Sequence, residues 1–149
     1  MASGIMIRTA RPEDRDVLGA LKLRASLAWG DHVETLRALP EAREVPSEHL
    51  PAILVAELDG TITGFATVLP RDDGAADLED LFVDPAAWGR GIGRRLLAEA
   101  EARAARLGAD ALHVVAGDRA RPFYERCGFR ITGPVMTDLE PASALRKGL

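Results

Sequence analysis

The chain has 149 residues, 47% hydrophobic and 28% charged, the balance of a globular chain with one domain-sized core. A formal net charge of −4 argues against a nucleic-acid partner, because such domains carry a basic excess. One cysteine, Cys127, excludes an internal disulfide and predicts a reducing, cytoplasmic compartment.

Three histidines and that cysteine form no cluster of zinc spacing, so no metal is expected. The first six residues, Met1 to Met6, lack the basic and apolar segments of a signal peptide. No run approaches 18 apolar residues, so no membrane partner is expected either.

Ile5–Thr9 predicts a first strand. Arg11-Pro12-Glu13-Asp14 reads as a helix entry, with proline near the first position and acids in the first turn. Val17, Leu18, Leu21 and Leu27 recur on one face, which predicts a helix over Pro12–Trp29. Gly30-Asp31 breaks it. A second short helix is expected within Asp31–Leu39, closed by Pro40. Glu41–Pro51 reads as a loop or a further turn of helix.

Ala52–Leu58 and Thr61–Leu69 predict two strands joined by the hairpin signal Asp59-Gly60. Pro70–Gly74 is a turn and Ala76–Val83 the next strand. Arg94–Leu107 predicts a helix whose buried stripe is Leu96, Leu97, Ala100 and Leu107, with Gly108 as its stop. Ala111–Ala116 predicts a strand parallel to Ala76–Val83, because the helix between them makes a crossover.

Arg119–Cys127 predicts a short helix with Pro122 in its first turn. Phe129–Thr132 predicts a strand that Gly133-Pro134 breaks. Val135–Leu139 and Ala142–Arg146 are the candidates for a last strand. The order β-α-α-β-β-β-α-β-α-β predicts one α/β domain over residues 1–149 with a mixed sheet.

The most informative stretch is Leu78–Leu97. A strand ends at Asp84-Pro85, and Gly89, Gly91 and Gly93 then open a helix. Such a loop presents backbone N–H groups at a positive dipole end, which suits a phosphate or pyrophosphate. The Gly-x-Gly-x-x-Gly spacing of dinucleotide folds is not met, and Gly93-Arg94-Arg95 lacks the Gly-Lys-Ser/Thr of a nucleoside-triphosphate loop. Two readings remain: the pyrophosphate loop of acyl-CoA-dependent acetyltransferases, and a glycine turn that only lets a helix pack.

The sequence resembles the GNAT superfamily of N-acetyltransferases over nearly its whole length. Three segments carry the resemblance: Leu81-Phe82-Val83-Asp84-Pro85, Arg90-Gly91-Ile92-Gly93-Arg94-Arg95-Leu96-Leu97, and Ala120 to Phe129, which reads Ala-Arg-Pro-Phe-Tyr-Glu-Arg-Cys-Gly-Phe. Their order and spacing are more specific than any one of them.

The resemblance implies a single GNAT-type α/β (α+β) domain. Its mixed, mostly antiparallel sheet of six or seven strands would be flanked by about four helices. It implies acetyl-CoA as cosubstrate and a homodimer as the common assembly. Leu81, Phe82 and Val83 would line the cofactor, with backbone groups of Phe82 and Val83 aligning the pantetheine arm. Trp88, Gly89, Arg90, Gly91, Ile92, Gly93 and Arg94 would form the pyrophosphate loop. Two positions depart from the pattern: Trp88 stands where the family usually has Gln or Arg, and Gly117 where it often has Asn.

Acetyl transfer to an amine poses two proton problems. An alkylammonium of pKa ~10.4 is neutral in about one molecule in a few thousand at pH 7, so its proton must be taken. A thiolate must then leave, and a proton donor helps it. The strand around Asp77-Leu78-Glu79-Asp80 offers three carboxylates beside an apolar run. The resemblance to diamine acetyltransferases makes Glu79 the first candidate base, through a water, and Asp77 the second.

Asp80 is a candidate for orienting the substrate cation. Tyr124, the one tyrosine of the chain, takes the family position whose hydroxyl faces the CoA sulfur, as acid and cofactor contact. Trp29 and His32 fall in the segment that shapes the acceptor site in this family. The expected function is transfer of an acetyl group from acetyl-CoA directly to a primary amine of a small molecule. The alternatives are a protein or peptide amine acetyltransferase and a non-catalytic acyl-CoA-binding module.

Overall fold

A computed structural model describes residues 4–137 and 139–149. In chain order the elements are β1 (Ile5–Thr9), α1 (Arg15–Leu27), α2 (Val33–Ala38), β2 (Ile53–Leu58), β3 (Thr61–Pro70) and β4 (Ala76–Val83). They continue with α3 (Ile92–Arg106), β5 (Ala111–Ala116), α4 (Arg121–Arg126), β6 (Arg130–Met136) and β7 (Pro141–Gly148). Among the described residues seven strands hydrogen-bond in the order β1-β2-β3-β4-β5-β7-β6. The β1–β2, β2–β3, β5–β7 and β6–β7 pairings are antiparallel and β4–β5 is parallel. The mixed sheet and the helices match the expected fold.

The chain divides into two compact units. One takes the described residues up to Thr67 together with Asp80–Ala100; the other takes Val68–Glu79 and Glu101–Leu149.

In the first unit, Asp59 and Gly60 both have positive φ, +53° and +83°, the mirror-image turn whose twist suits a β-hairpin. Leu18 and Leu21 of α1 pack with Val45, Leu50, Ile53, Val55 and Phe65 into a buried cluster, and the half-buried Phe82 of β4 packs against it. Gly64 on β3 is required by close approach. A Cβ there would stand 2.8 Å from the Phe82 carbonyl oxygen and 3.0 Å from Leu96 Cδ1.

Asp14, 6% exposed, accepts both arms of the Arg8 guanidinium at 2.8 and 3.1 Å and the Arg11 N–H at 2.7 Å. The Arg8 hydrogen bond outweighs burial and holds the Asp14 carboxyl below the usual range.

Two expectations for this unit need correction. Pro12–Asp14 forms a separate 3-10 turn, and α1 runs from Arg15 and stops at Leu27 rather than Trp29. Its buried face is Leu18, Leu21 and Ala25, while Val17 is 47% exposed. At 100° per residue Val17 lies a step around the helix from Leu18. The segment read as loop or helical turn holds two 3-10 turns, Pro40–Arg43 and Ser47–Ala52.

In the second unit, the parallel ladder registers two pairs, Ala76↔Leu112 and Asp77↔His113. It stops two residues before Glu79. β7 pairs with β5 from Ala111↔Gly148 to Ala116↔Ser143. β6 continues through Gly133-Pro134, where the sequence predicts a break. It can do so because β6 is an edge strand, and its ladder with β7 shifts register between Ile131 and Gly133. Val135 and Met136 thus belong to β6, and the last strand is Pro141–Gly148, on the second of the two candidate segments.

The helix α3 begins at Ile92, two residues before its predicted start. Its buried residues are Ile92, Leu96, Leu97, Ala100 and Ala104. Leu107, expected in the stripe, is 55% exposed and lies just past the last helical residue.

Candidate active site

β4 carries the carboxylates into both units. Its first half alternates, with Ala76 and Leu78 buried, Asp77 half-buried and Glu79 exposed. In the second unit, the Asp77 carboxylate is engaged. Arg71, from the turn before β4, donates to it at 2.9 Å and to Asp73 at 3.0 Å. Glu79 has no ion pair or side-chain hydrogen bond among the described residues. Of the two candidate bases, the one without a cation partner is therefore Glu79.

Tyr124 lies in the same unit on α4, buried at 6% exposure. It packs edge-on against Phe123 and Phe129, with centroids 5.2 and 5.5 Å away. Its backbone carbonyl accepts from Phe129 N–H at 3.0 Å, which fixes the end of the helix under the ring. Arg121 on the same helix is turned to its own neighbours, Asp118 at 3.4 Å and Glu125 at 3.5 Å.

In the first unit, the Asp80 side chain is only 13% exposed and has Lys22 Nζ at 3.9 Å. Lys22 also stands 6.0 Å over the Phe82 ring and donates to the Glu44 carbonyl at 3.1 Å. A protein cation thus occupies the place beside Asp80 where the sequence suggests a substrate cation. Periodicity gives no sign of this, because Lys22 reads as an ordinary polar position of α1.

At the end of β4 the chain reverses. Asp84 N–H donates to the Thr63 carbonyl at 2.8 Å, and the Asp84 carboxylate accepts from Ala86 N–H at 3.1 Å and Arg24 at 2.8 Å. Burial pushes the Asp84 carboxyl up, but Arg24 and the Ala86 amide together hold it below the usual range. Trp88 then donates its indole N–H to the Val83 carbonyl at 2.8 Å. Its ring meets Trp29 with centroids 5.1 Å apart. The structure brings these two predicted site residues into contact. His32 immediately precedes α2, with φ +56°.

Gly89 and Gly91 have φ of +82° and +78°, which side chains rarely adopt. A Cβ at either would meet nothing within 4 Å. Packing therefore does not require glycine here. The loop's backbone path does, and it leaves open space in front of the start of α3. Arg95 N–H donates to Gly91 O at 3.0 Å, so Ile92, Gly93 and Arg94 make up the first turn, whose amides an α-helix leaves without acceptors of its own. The Ile92 side chain is buried and anchors that turn, while Arg90 and Arg94 are exposed. Among the described residues no group of three His, Cys, Asp or Glu could hold a metal ion. No helix there is long and apolar enough to cross a membrane.

The strand–glycine loop–helix arrangement on a seven-stranded mixed sheet defines an acyltransferase-type fold. The chain belongs to the acetyltransferase (GNAT) family, whose model matches residues 20–129. It is 38% identical over 87 residues to uncharacterized N-acetyltransferases of Mycobacterium bovis and Mycobacterium tuberculosis. That match covers 55% of this chain and spans about half, 54%, of those relatives' length.

Among solved structures it is similar to a GCN5-related N-acetyltransferase from Rhodopseudomonas palustris, at 26% identity and TM-score 0.80, over 100% of this chain and 98% of that one. The PaiA N-acetyltransferase of Thermoplasma acidophilum, solved with coenzyme A, shares the fold at 22% identity and TM-score 0.77, over 97% and 99% of the two chains. A putative streptothricin acetyltransferase of Bacillus anthracis, solved with acetyl coenzyme A, is 29% identical over 65% of this chain and 61% of that one, with TM-score 0.60.

Proposed function

We propose that this chain is an acetyl-CoA-dependent N-acetyltransferase that moves the acetyl group directly to a primary amine of a small molecule. The observation that carries the reading is the glycine loop. Gly89 and Gly91 take backbone conformations that packing does not demand, at the start of a 15-residue helix, in a chain of this family. The coenzyme A in the Thermoplasma acidophilum structure and the acetyl coenzyme A in the Bacillus anthracis one support the choice of cosubstrate.

In this reading the amides from Gly89 to Arg94 receive the pyrophosphate, and the exposed Arg90 and Arg94 add positive charge. Leu81, Phe82 and Val83 line the pantetheine arm, with Phe82 and Val83 offering strand-type backbone hydrogen bonds. Glu79 is the base. It takes the proton of the acceptor ammonium, through a water, so that the amine lone pair attacks the thioester carbonyl. A C–N bond forms, the C–S bond breaks, the thiolate takes its proton from the Tyr124 hydroxyl, and the nitrogen sheds its second proton through solvent to the Tyr124 oxygen, which leaves a neutral amide and restores the tyrosine.

Asp77, held by Arg71, serves as a fixed charge beside the base. Trp29, His32 and Asp80 belong to the acceptor side, with Lys22 tempering the charge of Asp80.

Thiol release from acetyl-CoA, measured across a panel of polyamines, aminoglycosides, simple alkylamines and lysine-containing peptides, tests the proposal. Turnover with a small amine is the expected result. Turnover with peptides alone would move the acceptor to a protein. Tight acetyl-CoA binding without turnover on any amine would leave a binding module.

A further inference from the structure

Trp29 and Trp88 are the two tryptophans of the chain. Trp29 lies two residues beyond the end of α1, and Trp88 immediately precedes the first loop glycine. Their rings are tilted by 36° with centroids 5.1 Å apart, yet both residues remain 45% and 42% exposed. Burial of apolar surface therefore does not explain the pair.

Trp88 also closes the reversal after β4 twice. Its backbone N–H donates to the Pro85 carbonyl at 3.2 Å and its indole N–H to the Val83 carbonyl at 2.8 Å. Gln or Arg at this position also carries a donor, but neither has an aromatic face of indole size. The indole of Trp88 makes the hydrogen bond and the ring contact together.

We infer that Trp88 is a positioning residue for the cofactor loop and that Trp29 acts through it. The Val83 carbonyl ends the strand assigned to the pantetheine arm, and Gly89 begins the loop assigned to the pyrophosphate. Trp88 fixes the spacing between the two, and Trp29 fixes the Trp88 ring. A side chain at the end of α1 thereby sets affinity for acetyl-CoA without belonging to the loop. This rests on the acetyl-CoA reading given above. It adds that the α1–α2 segment and the cofactor loop share one contact.

The test is a double-mutant cycle on the full chain, with the Kd for acetyl-CoA measured by calorimetry. Trp29→Ala and Trp88→Ala are each expected to weaken binding, Trp29→Ala by about 2- to 10-fold, the range an aromatic pair supports, and Trp88→Ala by at least as much. The double variant is expected to be no worse than the weaker-binding single one, because both remove the same link. Trp29→Phe, which keeps a ring, should recover most of the loss, which a general loosening of the fold would not allow. Trp29→Leu stands in if the alanine variant does not fold.

Independent, multiplying effects overturn the inference, as does a Trp29→Ala protein that binds as tightly as the wild type. A wild-type chain that fails to bind acetyl-CoA overturns the functional reading itself, and the first titration of the series shows it.

Discussion

Arg71 and Asp77 form an ion pair at 2.9 Å, while Glu79, two residues further along β4, has no such partner among the described residues. The difference sorts two carboxylates that alternation places on one face of one strand. A base must be able to turn toward the proton it takes, and a carboxylate already held by a guanidinium is less free to do so. Glu79→Gln is expected to lower kcat by about 10²-fold, and Asp77→Asn by no more than a few-fold. Steady-state rates of thiol release decide between them. Equal losses would return the role to the pair.

The Tyr124 ring is held edge-on between Phe123 and Phe129, so removing its hydroxyl leaves the packing intact. Tyr124→Phe is expected to fold normally and to lose about 10²-fold in kcat, with the Kd for acetyl-CoA little changed. Calorimetry beside turnover separates the two effects. A variant that keeps its rate would remove Tyr124 from the chemistry.

Gly64 has no room for a methyl group between the Phe82 carbonyl and Leu96. Gly64→Ala is expected to cost about 1–3 kcal/mol of stability by overpacking. Because the displaced atom belongs to the strand assigned to the cofactor, acetyl-CoA affinity should fall as well. Urea unfolding and calorimetry on the same preparation measure both.

Asp14 makes stability depend on pH in a defined sense. Its carboxyl lies below the ordinary value of about 3.9 in the folded chain, so its contribution is complete above about pH 5. That contribution is lost as pH falls through the folded value. Asp14→Asn leaves Arg8 with Glu57 at 3.1 Å and is expected to cost about 2–3 kcal/mol at pH 7. The gap between variant and wild type should narrow below pH 4. Urea midpoints measured from pH 3 to 7 test this, and a constant gap would contradict it.

The sequence made the strands and the glycine loop legible because their signals are local. The short apolar start Ile5–Thr9, the Asp59-Gly60 turn and the spacing of Gly89, Gly91 and Gly93 need no tertiary context. Local preference misleads where tertiary context overrides it. Pro134 breaks a central strand but not an edge strand, and edge position is not visible along the chain.

Leu107 fits the helical period but lies beyond the end of α3. At the candidate site the carboxylates were legible and their partners were not. Lys22 reaches Asp80 and Arg24 reaches Asp84 across about 60 residues of sequence, so neither pairing leaves a trace in spacing. Trp88 reads in the sequence as a lost polar group. Its indole N–H supplies a donor after all, aimed at the protein's own backbone.

Pro134 and the register shift beside it have a consequence for assembly. β6 borders the sheet, and an unbroken border strand would offer a row of donors and acceptors to any passing chain. At Pro134 that row lacks an N–H, and between Ile131 and Gly133 its repeat is interrupted. A second copy laid alongside would lose the hydrogen-bond rhythm within a few residues. β6 is thus guarded against open-ended strand-to-strand growth at that border.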